Sequence, residues 1–195
     1  MAILAAAAPA RADVLALFAQ VNIGGSSGTG LGGDQKDNDF FQRTKGMTYG
    51  ALVGAKILFL RVWIEHQQYT NFSEFRGTWT QFMLGGGVDI PLSDAPVAGG
   101  VIPFDLGLTF GAGFGLGTGQ QVEPPLSNSQ ISDKGVVGEV ALALRYRLNS
   151  VFAVGAALPV TVAQIWKNDA PINQATSYSS ISFKGLAFVE LTLGL

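Results

Sequence analysis

Cysteine is absent from this 195-residue chain, and charged residues make up only 13% of it. The first absence excludes disulfides and thiolate metal sites. The few charges nearly balance, with 12 Lys and Arg against 14 Asp and Glu, so nucleic acid is not expected as a partner. The apolar runs of the chain are also short, and none approaches the roughly 20 residues that a membrane-crossing helix needs. The positive mean hydropathy of +0.32 therefore indicates apolar residues at alternate positions, as in a closed sheet.

The stretch of residues 104–117, FDLGLTFGAGFGLG, shows this alternation most clearly. On a strand, one side would carry Asp105, Thr109 and glycines, and the other side would be wholly apolar. The apolar side consists of Phe104, Leu106, Leu108, Phe110, Ala112, Phe114 and Leu116. A long strand with glycine in place of surface Lys and Glu is typical of the wall of a membrane-spanning β-barrel.

The same alternation, bounded by Gly, Asn, Ser or Pro, predicts eight strands along the chain. They are Val14 to Gly25, Gly46 to Ala55, Leu58 to Tyr69, Thr78 to Ile90, Val101 to Gly117, Gly135 to Asn149, Val151 to Trp166 and Ile181 to Leu195. An even number suits a bacterial single-chain barrel. The predicted fold class is therefore all-β, a closed antiparallel eight-stranded up-and-down transmembrane β-barrel.

The predicted connections alternate in length. Four are long or polar: Ser26 to Lys45, Thr70 to Gly77, Thr118 to Lys134 and Lys167 to Ser180. Those after the second and sixth strands are tight, although Lys56-Ile57 carries no turn chemistry and Pro91 to Gly100 exceeds a minimal turn. Long loops on one rim and short turns on the other are typical of outer-membrane barrels, whose long loops lie outside the cell.

Aromatic residues on the apolar faces form two predicted belts. Tyr49, Phe114, Trp166 and Phe183 lie toward the long-loop rim, and Phe104, Tyr146 and Phe152 lie toward the short-turn rim. Aromatic rings favour the headgroup level of a bilayer. The alternative is a scatter of ordinary core aromatics.

Strand number, loop alternation and a final strand, GLAFVELTLGL, that alternates to the C-terminus together resemble the small eight-stranded outer-membrane barrels, the group of the OmpA transmembrane domain, OmpX and OmpW-like proteins. The resemblance covers nearly the whole chain and implies a bacterial outer-membrane location. It also implies contact with membrane lipid and lipopolysaccharide, insertion by the barrel-assembly machinery, and a monomer.

Charged residues on the predicted strands fall at inward positions. They are Arg61, Glu65, Asp89, Asp105, Glu139, Arg145, Arg147, Lys184 and Glu190. Arg or Lys facing lipid at the midplane costs about 2–4 kcal/mol, which explains this segregation. Counting residues across the hairpin that contains the loop Thr118 to Lys134 places Asp105 nearly opposite Arg147. We therefore predict a lumen plugged by ion pairs. The alternative is a selectivity ring in a conducting pore.

Four inward glycines remove side-chain volume from one side of the predicted upper lumen: Gly111, Gly113, Gly115 and Gly117. Either a bulky residue such as Trp79 or Phe188 fills that space, or a small cavity opens toward the surface. The cavity would be the basis for binding a small molecule.

Catalytic and metal chemistry find little support in the sequence. His66 is the single histidine, and its neighbour Glu65 points to the opposite face of a strand, so the two cannot form a dyad. Asp34, Asp37 and Asp39 offer oxygen ligands but lack the spacing of a calcium loop. We therefore predict no enzyme activity, no catalytic residues, no metal and no cofactor.

The sequence thus predicts a non-enzymatic envelope barrel with outward-facing loops and a plugged lumen. Residues 1–12 are interpreted as the remnant of a secretory signal peptide, because Ala10-Arg11-Ala12 has the small-x-small form that signal peptidase accepts, and residues 13–195 as one barrel domain. An alanine-rich terminus is the alternative for 1–12. The alternative functions are a narrow channel or binding barrel for small or hydrophobic solutes, and a soluble calycin-type ligand-binding barrel.

Overall fold

The computed structural model describes residues 15–33, 40–71, 75–92, 96–97, 100–101, 104–121, 130–167 and 177–194. The predicted signal-peptide remnant and the three aspartates at 34, 37 and 39 lie outside these ranges. The elements are β1 (Leu15–Gly33), α1 (Phe40–Arg43), β2 (Gly46–Ile57), β3 (Leu60–Asn71), β4 (Phe75–Pro91), β5 (Pro96–Val97), β6 (Gly100–Val101), β7 (Phe104–Gln121), β8 (Gln130–Arg147), β9 (Phe152–Lys167) and β10 (Ser177–Gly194).

Eight of these strands form a closed antiparallel barrel, in the order β1, β10, β9, β8, β7, β4, β3, β2. The first and last strands close it, with Ala16 paired to Gly194 at one end of the register and Gly33 to Tyr178 at the other. The predicted all-β barrel with eight strands is confirmed. The two short strands β5 and β6 form a separate hairpin between β4 and β7.

Most strands extend further toward the long-loop end than the sequence predicts. β1 continues to Gly33 rather than Gly25, and β7 continues to Gln121 rather than Gly117. The Gly, Ser and Thr residues there look like loop signals, but each finds a ladder partner on a neighbouring strand, such as Ser26 with Lys184. Pairing thus overrides low strand propensity, and the loops are shorter than predicted.

The short-turn end also differs in detail. Leu58 and Phe59 form the turn between β2 and β3, with Leu58 at a φ of 56°, so β3 begins at Leu60 rather than Leu58. An apolar pair gives no turn signal, which is why the sequence missed it. Val101 belongs to β6, so the next barrel strand begins at Phe104.

The outer surface of the barrel is mainly apolar, and most charged side chains of the strands face the lumen. Exposed apolar residues include Val53, Leu84, Phe110 and Leu158, whereas the charged side chains of Arg61, Glu65, Glu139 and Lys184 are buried. Two further elements define the mouths of the lumen: α1 lies at the long-loop mouth, and the turns at 58–59 and 148–151 surround the short-turn mouth. Within the described ranges, no helix is long and apolar enough to cross a membrane.

Candidate functional site

The long-loop mouth of the lumen is filled by an aromatic plug, which consists of Phe40, Phe41, Tyr69, Trp79 and Tyr178. All five side chains are buried. The ring of Phe40 lies 5.5 Å from that of Phe41 and 5.4 Å from that of Trp79, measured between centroids. These distances are those of packed aromatic pairs. The aromatic side chains of α1 therefore pack against barrel side chains inside the long-loop mouth.

Hydrogen bonds hold α1 in place. The hydroxyl of Tyr178 accepts from the backbone N–H of Phe40 at 3.1 Å and donates to Asp133 Oδ2 at 2.7 Å. Thr44 Oγ1 donates to the carbonyl oxygen of Phe41 at 2.9 Å. Because these partners lie on β8 and β10 as well as beside α1, the plug is tied to the barrel wall.

The inward glycines of β7 leave room for these rings. A Cβ at Gly115 or Gly117 would collide with the indole of Trp79, and a Cβ at Gly111 with the indole of Trp63. A Cβ at Gly113 would meet the carbonyl oxygen of Phe82 on the next strand. Trp79 thus occupies the space beside Gly115 and Gly117, as one of the two alternatives had it, and Trp63 occupies the space beside Gly111.

A central polar cluster lies below the plug. It consists of Glu65, Glu139, Lys184, Gln67, Gln81, Asn22 and Thr161, all buried. Lys184 Nζ lies 2.7 Å from Glu65 Oε1 and 3.5 Å from Glu139 Oε2. Gln81 Nε2 donates to both carboxylates, at 2.6 Å and 3.0 Å. Every charge in this layer therefore has a charged or polar partner.

The lower ion cluster occupies the short-turn end of the lumen. It holds four cations and three carboxylates: Lys56, Arg61, Arg145, Arg147, Asp89, Asp105 and Glu190. Asp105 is paired in register with Arg145, whereas its ion pair is with the next inward residue, Arg147. The structure thus brings together Asp105 and Arg147, as the sequence predicts, with the register shifted by one inward position.

Two cavities flank this lower ion cluster. A small cavity of about 70 Å³ lies between it and the central polar cluster, and a larger one of about 460 Å³ opens at the short-turn mouth. Phe18, Arg61, Arg145 and Glu190 line both, so they form the partition between them. Arg61 and Trp63 line the small cavity, and Arg61 Nε and Trp63 Nε1 have no hydrogen-bond partner among the described residues.

The predicted aromatic belts lie on the outer surface. Tyr49, Phe114, Trp166, Phe183, Tyr146 and Phe152 are exposed, and Phe104 is half-buried against the ring of Tyr146, with centroids 5.2 Å apart. Phe114 lies near the middle of β7 and pairs with Phe82, also exposed. The exterior aromatics are therefore spread over more than two levels.

Polar side chains on the outer surface pair across neighbouring strands near the long-loop end. The pairs are Tyr49 with Gln68, His66 with Thr80, Thr78 with Thr118 and Gln164 with Ser179. His66 thus faces outward while Glu65 faces the lumen, and the two cannot act together. In the described part of the chain, no three His, Asp or Glu residues are arranged to hold a metal ion.

Several side chains in the lumen were not predicted from the sequence. Lys56 falls where a turn was expected, but its inward position on β2 gives it an ion pair with Asp89. Gln67 and Gln81 are uncharged, although their inward positions could have indicated them. Phe40 and Phe41 lie in a predicted loop, and their adjacency in a polar segment was the available signal.

Known proteins resemble this chain in structure rather than in sequence. No protein-family model matches the chain, and no curated protein matches it. Among solved structures, Neisserial surface protein A (NspA) is similar, with 12% identity, a TM-score of 0.56, and coverage of 90% of this chain and 97% of that chain. The fold is that of a small outer-membrane β-barrel.

Two other outer-membrane barrels are similar at lower scores. Ail, the attachment invasion locus protein of Yersinia pestis, has 9% identity and a TM-score of 0.44 over 91% of this chain and 98% of that chain. The N-terminal β-barrel domain of Pseudomonas aeruginosa OprF has 10% identity and a TM-score of 0.42 over 90% and 97%. At these identities the likeness concerns the fold alone.

Proposed function

We propose that this protein is an integral outer-membrane barrel, without enzyme activity, whose lumen is closed to solutes. The sidedness of the strands is the observation that carries this proposal. On the described strands, the outward charged residues Arg76 and Lys134 both lie near the long-loop end, and the middle of the outer surface is apolar. This is the distribution that a lipid-facing wall requires.

The polar pairs on the outer surface support one boundary of the membrane-facing band. Below them, exposed residues such as Phe82, Phe114, Val140 and Val162 are apolar. Above them, the strands continue with polar outward residues, including Arg76 and Gln120, which pair in register. The barrel would therefore project from the bilayer at its long-loop end, where lipopolysaccharide phosphates would meet Arg76 and Lys134.

The contents of the lumen support closure. The aromatic plug, the central polar cluster and the lower ion cluster follow one another along its length, and an eight-stranded barrel is only wide enough for its own side chains. A charged interior also disfavours a soluble calycin-type barrel, which needs apolar residues around its ligand. Passage of a solute would require displacement of α1 and separation of buried ion pairs.

Location is tested by expression in a Gram-negative host followed by separation of the membranes. We expect the protein in the outer-membrane fraction, with extraction by detergent but not by carbonate. Leu108→Arg, which places a charge on the lipid-facing surface of β7, should lower the amount inserted. Recovery of the wild-type protein from the aqueous fraction without detergent would favour the soluble alternative.

Closure is tested by conductance of the refolded protein in planar bilayers. We expect no discrete openings from the wild-type protein. The double variant Phe40→Ser/Phe41→Ser, which removes the aromatic contacts of α1, serves as a comparison for partial opening. Reproducible wild-type openings would contradict the closed lumen and favour the narrow channel.

A further inference from the structure

The cavity at the short-turn mouth, which we call the vestibule, combines charged and apolar walls. Its volume is about 460 Å³, within the range of about 300–1,000 Å³ that small-molecule sites occupy. The charged wall comprises Lys56, Arg61, Asp89, Arg145, Arg147 and Glu190, and the apolar wall includes Leu58, Phe59, Val151 and Phe152. Such a lining suits a ligand that has both a charged and an apolar part.

Cations outnumber carboxylates in the vestibule. Asp89 alone forms ion pairs with three of them: Lys56 Nζ at 2.8 Å, Arg61 Nη2 at 2.8 Å and Arg145 Nη1 at 2.9 Å. Glu190 forms an ion pair with Arg145, at 3.3 Å. Because four cations of the lower ion cluster face three carboxylates, the local charge is positive, and a further anion would be stabilised there.

One guanidinium group retains donor capacity at the mouth. Arg61 Nε has no hydrogen-bond partner within the described part of the chain, but this atom is buried and Arg61 is only 7% exposed. Arg147 uses Nε for its ion pair with Asp105, while its side chain is 51% exposed. Since a guanidinium carries five N–H donors, Arg147 can still bind a carboxylate at the mouth.

Apolar residues border these donors. Leu58 and Phe59 form the turn between β2 and β3 and are 56% and 60% exposed. Val151, at the end of the turn before β9, is half-buried beside them. A bare inorganic anion would leave this apolar surface uncovered, whereas a hydrocarbon tail attached to the anion would cover it.

We propose that the vestibule binds an amphiphilic monoanion of the fatty-acid type. Its carboxylate lies among Lys56, Arg61, Arg145 and Arg147, and its hydrocarbon chain lies against the apolar wall that includes Phe59. The proposal goes beyond the closed-barrel function, which assigns no ligand to this mouth. The closed-barrel function is tested separately, by membrane fractionation and by conductance.

The test is a nuclear magnetic resonance titration of the refolded barrel in neutral maltoside micelles with octanoate. The amides of Gly87 and Val151, which line the vestibule, should shift and saturate, while the amide of Gly119 at the opposite mouth should not. Octanol and acetate, at equal concentrations, should each give less than one-fifth of the octanoate shift. An equal shift with octanol would overturn recognition of the anion, and an equal shift with acetate would overturn the role of the tail.

Matched variants sharpen the test. Arg147→Gln and Lys56→Gln, both at partly exposed positions, should each weaken octanoate binding at least fivefold. Lys134→Gln removes the same charge from the outer surface at the other end and should leave binding unchanged. An equal loss in Lys134→Gln, or no loss in either vestibule variant, would overturn the proposed site.

Discussion

The two mouths of the lumen are lined by different kinds of side chain. At the long-loop mouth, Phe40 and Trp79 are 0% and 2% exposed, and the contacts are aromatic. At the short-turn mouth, Lys56 and Arg147 have side chains that are 30% and 51% exposed, and the contacts are ionic. Salt screens exposed charges but leaves packed rings in contact, so the two mouths should respond differently to ionic strength.

The central polar cluster lies between the two mouths and differs from both. The side chains of Lys184 and Glu65 are only 3% and 4% exposed, so their ion pair is shielded from solvent. Trp79 Nε1 donates to Gln81 Oε1 at 3.2 Å, which links the aromatic plug to this cluster. The side chains from the plug to the middle of the barrel are therefore buried, whereas those of Lys56 and Arg147 at the short-turn end reach solvent.

The largest predicted effect concerns the buried lysine of the central polar cluster. Lys184→Met leaves Glu65 and Glu139 buried without their cation, which should lower the free energy of unfolding by about 3–5 kcal/mol. Urea unfolding of the refolded barrel in lipid vesicles, followed by tryptophan fluorescence, measures this change.

A second substitution provides the control for that prediction. Adding Glu65→Gln to Lys184→Met removes one of the uncompensated charges and should recover part of the loss. Lys45→Met, at an exposed lysine, should change the free energy of unfolding by no more than about 0.5 kcal/mol. An equal loss in both single variants would contradict a special role for the buried site.

The aromatic plug should give the next largest effect. Phe40→Ala removes a fully buried ring that contacts Phe41, Tyr69 and Trp79, and we expect a loss of about 3 kcal/mol in the stability of the long-loop end. Hydrogen exchange should rise at the amide of Thr44, which donates to the carbonyl of Phe40, and stay unchanged at Leu148, beside the other mouth. Faster exchange at both mouths would mean that the packing at the two mouths is not independent.

Space beneath the plug can be tested with a single methyl group. Gly115→Ala would place a Cβ against the indole of Trp79, and the resulting overpacking should cost about 1–3 kcal/mol. Gly138→Ala is the matched control, because the nearest heavy atom to its Cβ would be the carbonyl oxygen of Gly111 at 4.0 Å. Equal stability of the two variants, measured by urea unfolding, would show that the indole moves aside without cost.

Sidedness could be predicted from sequence because it depends on a local period of two. Asp105, Arg145 and Glu190 all point into the lumen, as their positions in the alternation require. The strand ends could not be predicted in the same way. Gly28 and Gly30 become strand residues because β10 supplies ladder partners from far along the chain.

The plug was equally beyond the reach of local patterns. Phe40 and Phe41 lie in a segment that contains polar residues, and burial of their rings depends on Tyr178 and Trp79, which are distant in sequence. Lys56 was missed for a related reason, because the turn at Leu58 and Phe59 has no Gly or Asn to mark it. Contacts between segments that are distant in sequence therefore determine which side chains lie at each mouth.

The smallest predicted effect lies at the short-turn mouth. Arg147→Gln breaks the ion pair with Asp105, but because the arginine side chain is 51% exposed, we expect a loss of less than about 1 kcal/mol at low salt. At 1 M salt the difference in stability between the wild-type protein and Arg147→Gln should be much smaller, because salt already screens the exposed ion pair in the wild-type protein. Phe40→Ala should keep its full effect at both salt concentrations. If high salt reduced the effect of Phe40→Ala as much as that of Arg147→Gln, the contrast between an aromatic and an ionic mouth would be wrong.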